Sequence, residues 1–109
     1  MPGKTLSNYL RTFRLRAGLS QDEVAALLGV AGGAEVSRHE TFRRMPSLAT
    51  ALRYEAIFGI PVRELFAGEY QKVELAIQAR AEELADRWTQ PGSQRTQKRQ
   101  LLARILNWS

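Results

Sequence analysis

Two neighbouring carboxylate pairs are the only candidates for acid–base chemistry in the chain, Asp22 with Glu23 and Glu82 with Glu83. Adjacent residues on a helix diverge by about 100°, so neither pair converges on one substrate atom. Helix capping and solvated helix faces account for both. His39 is the single histidine and has no Cys or His companion at ligand spacing. The chain has no cysteine, which removes disulfides, thiolate zinc sites and thiol nucleophiles together. There is no Ser/His/Asp arrangement and no phosphate-cradling glycine loop. No catalysis, metal or cofactor is therefore expected.

The remaining chemistry is that of cations. Sixteen Lys and Arg face eleven Asp and Glu, a net charge of +5, and such an excess attracts a polyanion by phosphate neutralisation and counterion release. A merely solvated basic surface is the alternative. The distribution is uneven: residues 1–44 hold seven basic and four acidic side chains, residues 71–109 the same, and the segment between is slightly acidic.

The elements that would carry these charges read as helices. At 109 residues the chain fits one domain and a short appendage. Apolar residues recur at three and four, with hardly any strand-like alternation. Nothing approaches the roughly 20 apolar residues of a membrane span, nor does an apolar run follow the opening Met-Pro-Gly-Lys-Thr. A soluble, unprocessed cytoplasmic protein is expected.

Thr5 can cap a first helix with Leu6, Tyr9, Leu10, Phe13 and Ala17 on one face, ended by Gly18. Ser20 and Glu23 form a capping box, with Leu19 and Val24 as a hydrophobic staple. That second helix exposes Gln21 and Asp22, buries Val24, Leu27 and Leu28, and stops at Gly29. A third runs from about Ala34 to Phe42, with Val36 inward and Arg38 outward. Pro46 and Ser47 start a fourth, with Leu48, Ala51, Leu52 and Phe58 on one arc and Gly59 at its end. Pro61 opens a short fifth helix to Phe66, and Gly68 closes the domain.

Beyond it, an amphipathic helix over 70–88 places Val73, Ile77, Ala81, Leu84 and Trp88 on one stripe. Gln90-Pro91-Gly92-Ser93 breaks it. The last helix carries Leu101, Leu102, Ile105, Leu106 and Trp108 beside Arg95, Lys98, Arg99 and Arg104, with no acidic residue.

The stretches LRTFRLRAGLSQDEVAALLGV and AGGAEVSRHETFRRMPSLATALRYEAIFGIPVRELF, with their Gly-Leu-Ser-Gln, Leu-Gly-Val, Val-Ser-Arg-His-Glu and Pro-Ser-Leu segments, resemble the lambda-repressor-like (Xre/Cro) helix-turn-helix family. The resemblance covers about residues 5–68. It implies an all-α fold: a five-helix DNA-binding domain over 1–68 and an extension of about two helices over 69–109. It also implies that residues 20–28 lay a recognition helix, residues 34–42, into the major groove of duplex DNA. Glu35, Ser37 and Arg38 are then the candidates for base contact. Arg38 can donate two hydrogen bonds to guanine O6 and N7, or instead meet a phosphate or a surface carboxylate. Ser37 can bond a base or a phosphate, or face solvent. Glu35 either accepts from cytosine N4 or stabilises the helix N-terminus.

By the same resemblance Gln21, Thr41, Arg43 and Arg44 meet backbone phosphates, and Arg14 and Glu40 form a partly buried ion pair between the first and third helices. His39 flanks the groove or packs. The sequence departs from the family pattern at three places. The connector from Val30 to Val36 is one residue longer. Phe42 stands where a glycine commonly ends the recognition helix, so that helix is expected to run on into Arg43. Glu55 falls on the inward arc of the fourth helix, where an acid needs a partner.

The C-terminal stripes need covering, either on the domain itself or by a second copy through Val73, Ile77, Leu84, Trp88, Leu102, Ile105 and Trp108. The function expected is sequence-specific regulation of transcription, by repression, as a homodimer on an inverted repeat. The alternative is an antitoxin-like module that grips a protein partner through its C-terminal helices.

Overall fold

The computed structural model describes residues 5–88 and 96–108. The expected break at Gln90-Pro91-Gly92-Ser93, and Arg95, lie outside the described residues. Among the described residues the chain forms seven helices and no strand: α1 Leu10–Arg16, α2 Gln21–Leu28, α3 Gly33–Glu40, α4 Leu48–Phe58, α5 Val62–Leu65, α6 Ala67–Arg87 and α7 Thr96–Leu106. It divides into two compact units, Met1–Tyr70 and Gln71–Ser109. Among the described residues no helix is long and apolar enough to cross a membrane.

In the first unit α1 starts at Leu10, not after Thr5. The backbone before it is committed elsewhere: the Leu6 carbonyl accepts from Gly68 N–H at 2.9 Å, and Tyr9 N–H donates to the Leu65 carbonyl at 2.7 Å. Groups bonded to α5 and α6 in this way cannot also propagate a helix. The N-cap is Tyr9 and not Thr5, and Asn8 Oδ1, just before it, accepts from Leu10 N–H at 3.1 Å. Leu6 and Ala17, expected on the buried face, are exposed. Gly68, expected to close the domain, makes its bond to Leu6 from within a helix. It lies in the first turn of α6, where a Cβ would collide with the Leu6 carbonyl.

The capping box of α2 is present: Glu23 N–H donates to Ser20 Oγ at 3.1 Å and Ser20 N–H to Glu23 Oε1 at 2.8 Å. Gly18, Gly29 and Gly59 are all left-handed, with φ of 72°, 80° and 69°, and end their helices without the Cβ penalty. The inward arcs of α2 and α4 differ from those expected. Ala25 is buried in place of Leu27, which is 60 % exposed, and on α4 Leu48 and Leu52 face solvent while Ala51 and Tyr54 turn inward. Glu55 is exposed. Its carboxylate accepts from Val62 N–H at 2.8 Å, satisfying the first amide of α5.

Leu10, Val24, Ala25, Leu28, Val36, Ala51, Tyr54, Leu65 and Phe66 form one core, flanked by Phe13, Leu19, Ile57 and Phe58 among others. Burying each of the large apolar side chains contributes about 1.5–3 kcal/mol. Tyr54 sits among rings: it stacks on Phe58 and meets His39 and Phe66 edge-on.

In the second unit α6 and α7 pack on each other. Gln78 Nε2 donates to the carbonyls of Ile105 and Trp108 at 3.2 and 3.0 Å. Ala81 and Leu102 are buried, and Ala85, Trp88, Leu102 and Leu106 line an apolar pocket between the helices. Lys98 lies over the Trp88 ring and Arg104 over Trp108. Much of the apolar stripe is thus covered by the partner helix of the same chain, whereas Val73 remains exposed.

Candidate nucleic-acid interface

The interface is built on how α3 is held. A carboxylate buried at the end of α3 collects three donors: Glu40 accepts from Arg14 Nε at 2.6 Å, Arg14 Nη2 at 3.2 Å and Gln21 Nε2 at 3.1 Å. Arg14 Nη1 donates to the Leu19 carbonyl at 3.0 Å. One network therefore ties α1, the α1–α2 turn, the start of α2 and the end of α3. Hydrogen bonding to Glu40 is the largest influence on the Arg14 guanidinium and holds its pKa above the usual arginine value against the opposing cost of burial. The pair is buried, as the family resemblance implies, and with its donors met it fixes the helix rather than floating on the surface.

The other end of α3 is fixed through glycine. Asp22 Oδ1 accepts from Gly33 N–H at 2.9 Å, so a side chain of α2 caps the first amide of α3. A Cβ on Gly33 would stand 2.6 Å from Asp22 Oδ1, 3.0 Å from Gln21 Cβ and 3.1 Å from the Asp22 amide nitrogen. Only glycine lets the two helix starts approach this closely. Gly32, the N-cap of α3, has extended backbone at φ −178°.

His39 packs and does not line the surface. It is buried on α3, with Nδ1 2.8 Å from Tyr54 Oη, and its carbonyl accepts from Asn8 Nδ2 at 2.9 Å. Burial lowers its pKa below the ordinary histidine value; Glu35 opposes this and Arg44 adds to it. The imidazole is accordingly neutral, and in the Nε2–H tautomer Nδ1 accepts the Tyr54 hydroxyl. Burial raises the Tyr54 pKa, keeping that hydroxyl protonated.

The outward face carries the charged side chains. Glu35, in the first turn of α3, lies 3.4 Å from Arg38 Nη1 and 3.7 Å from Arg44 Nη1. The arginine side chains are 53 % and 65 % exposed, Glu35 30 %. Ser37 is half-buried, and Arg43 and Thr41 are exposed. Thr41 Oγ1 donates to the Ser37 carbonyl at 2.7 Å, which leaves its hydroxyl only lone pairs to offer. Gln21 is half-buried and keeps one amide hydrogen beyond the bond to Glu40.

The end of α3 departs from the expectation drawn from Phe42. The helix stops at Glu40, and Phe42 itself adopts the left-handed conformation at φ 66°. Phe42 N–H donates to the His39 carbonyl at 3.3 Å and Arg43 N–H to the Arg38 carbonyl at 3.0 Å, the two bonds of a Schellman motif. Arg44 N–H also reaches the Arg38 carbonyl, at 3.3 Å. This closing turn folds Arg44 back toward Glu35. The chain thereby accepts a strained Phe42 in exchange for satisfied carbonyls at the helix end.

Arg38, Arg44 and Glu35 are thus brought together. Among the described residues no side-chain hydrogen bond or ion pair places Ser37 or Arg43, and Gln21 belongs to the buried network. Reading the sequence alone missed Asp22 and Asn8 as positioning residues. Asp22 reads as a solvated first-turn acid because its acceptor role depends on Gly33, eleven residues away. Among the described residues no three His, Cys, Asp or Glu side chains gather to hold a metal ion.

A family model described as a helix-turn-helix domain matches residues 5–66. No curated protein matches the chain, and no solved structure does.

Proposed function

The chain belongs to the helix-turn-helix domain family, and from that premise we propose that it is a sequence-specific duplex-DNA-binding regulator of transcription, of the lambda-repressor-like (Xre/Cro) kind and without chemistry of its own. In this reading α2 crosses the DNA backbone and α3 enters the major groove. Arg38 donates to guanine O6 and N7, with Ser37 beside it, while Arg43, Arg44 and the remaining amide hydrogen of Gln21 hold the backbone; Thr41 reaches a phosphate only by giving up its bond to the Ser37 carbonyl. The observation that carries the reading is α3 itself. Its inner face is locked to α1 and α2 through Glu40, Val36 and Gly33, and exposed arginines stand on it and on the turn that follows.

We further propose that the protein acts as a homodimer and represses by occupying an inverted repeat, the two-fold axis of the site matching that of the dimer. Dimerisation uses what the α6–α7 pair leaves uncovered, Val73 and the half-buried Ile77, Leu84, Ile105 and Trp108.

Selection of bound duplexes from a random double-stranded library, at near-physiological salt, tests this. Recovery of an inverted repeat with half-sites about one helical turn apart, roughly 34 Å, or a multiple of that, is expected. Arg38→Ala should then cost about 1–3 kcal/mol and relax preference at one position of each half-site. Arg43→Ala should weaken all sequences alike and lower the salt slope by about one. No enriched sequence from monodisperse protein would refute the reading.

A further inference from the structure

We infer that Glu35 is a specificity-determining residue that acts against the chain's own arginines: it restrains Arg38 and Arg44 in the free protein and releases them where DNA offers the carboxylate an amino group instead. The inference deepens the duplex-binding reading above and rests on it.

Three observations carry it. Glu35 Oε1 is shared between Arg38 on α3 and Arg44 beyond it, at 3.4 and 3.7 Å. One carboxylate therefore spans the helix and the turn after it, neutralising one of two cations on the face toward DNA. Secondly, Glu35 is not the helix cap that a first-turn acid commonly is. The first amide of α3 is already met by Asp22 Oδ1 at 2.9 Å. Thirdly, the arginines are more than half exposed and Glu35 is not buried, so water and DNA can compete for these ion pairs.

The consequence follows from the chemistry of the duplex. A carboxylate is repelled by phosphates and by the accepting edges of guanine and thymine; in the major groove only cytosine N4 and adenine N6 donate to it. Each base pair carries one such group, on one strand or the other; where it lies out of reach, Glu35 keeps hold of its arginines or is left desolvated without a donor, and both outcomes weaken binding. On a sequence with an amino group in reach, the base replaces the arginines at Glu35, and Arg38 and Arg44 become free to bond a base edge and a phosphate. Glu35 thus lowers affinity for wrong sequences more than for the right one.

Glu35→Gln keeps the size and removes the charge. With the full-length chain, affinity for a random-sequence duplex should rise and the slope of log K against log salt should steepen by about one. The ratio of affinities for the selected and random duplexes should fall about tenfold. An unchanged ratio and slope would overturn the inference, with the melting temperature confirming that the variant is folded. A second readout needs no DNA. Exchange of the Arg38 and Arg44 Nη protons with water, followed by NMR at low temperature, should be faster in Glu35→Gln than in the parent chain. Unchanged exchange overturns the restraint alone, whereas a parent chain that binds no duplex overturns the reading above and this inference with it.

Discussion

Glu40→Ala probes the support of the interface without touching its surface. The Glu40 carboxylate is 2 % exposed, Arg14 10 %, and removing the acid leaves the guanidinium buried with the Leu19 carbonyl as its remaining acceptor. Breaking a buried pair from one side costs about 3–5 kcal/mol, because an uncompensated charge stays behind. A folded unit of about 70 residues has only roughly 4–10 kcal/mol to lose. In a domain of this size each kcal/mol moves the melting temperature by about 4–8 °C, so a fall of at least about 12 °C is expected. Thermal unfolding followed by far-UV circular dichroism measures it. Arg14→Met combined with Glu40→Leu removes both charges together and should recover all but about 1 kcal/mol of the loss. The reasoning fails if Glu40→Ala costs under about 1 kcal/mol, or if the double variant is no more stable than the single one.

Phe42→Gly should stabilise the chain by about 0.5–1 kcal/mol, since φ 66° costs a phenylalanine more than a glycine; a fall in melting temperature would show that the ring supplies packing that outweighs the strain. Gly68→Ala should destabilise by about 1–3 kcal/mol in denaturant titration, because the new Cβ displaces the Leu6 carbonyl and its bond to Gly68. Stability should also depend on pH through His39. Its folded pKa lies below the ordinary 6.5, so the unfolded chain takes up a proton first, and stability, full above about pH 6.5, is lost as pH falls toward the folded value. His39 is the single histidine. A melting temperature that falls between pH 7 and 5 in the parent chain and stays level in His39→Asn is therefore the expected result, and equal slopes would refute it.

The features that sequence alone determined are the local ones. Ser20 and Glu23 are three residues apart, and both bonds of their capping box close within one turn. Gly18, Gly29 and Gly59 end helices because a left-handed residue without a Cβ is favoured wherever the chain leaves a helix. The net positive ends of the chain and the all-helical period were equally legible, since neither depends on what packs against what. The motif that points to a helix-turn-helix domain is a run of such local signals and does not depend on packing.

What tertiary structure decided is where each helix face points and which backbone groups are already taken. Leu27, Leu48 and Leu52 fit apolar arcs, yet they face solvent, because the core closes on Ala25, Ala51 and Tyr54 and a small residue is what close helix approach requires. Thr5 could have capped a helix, but the carbonyl of Leu6 and the amide of Tyr9 were claimed by Gly68 and Leu65. Phe42 carries an intrinsic penalty against the left-handed conformation, and the two Schellman bonds outweigh it. At the candidate interface the residue types were readable from the sequence, while the sharing of Glu35 between Arg38 and Arg44 was not. That arrangement depends on a turn closing over nine residues, and a distance of 3.7 Å between side chains is set by the fold that brings them together.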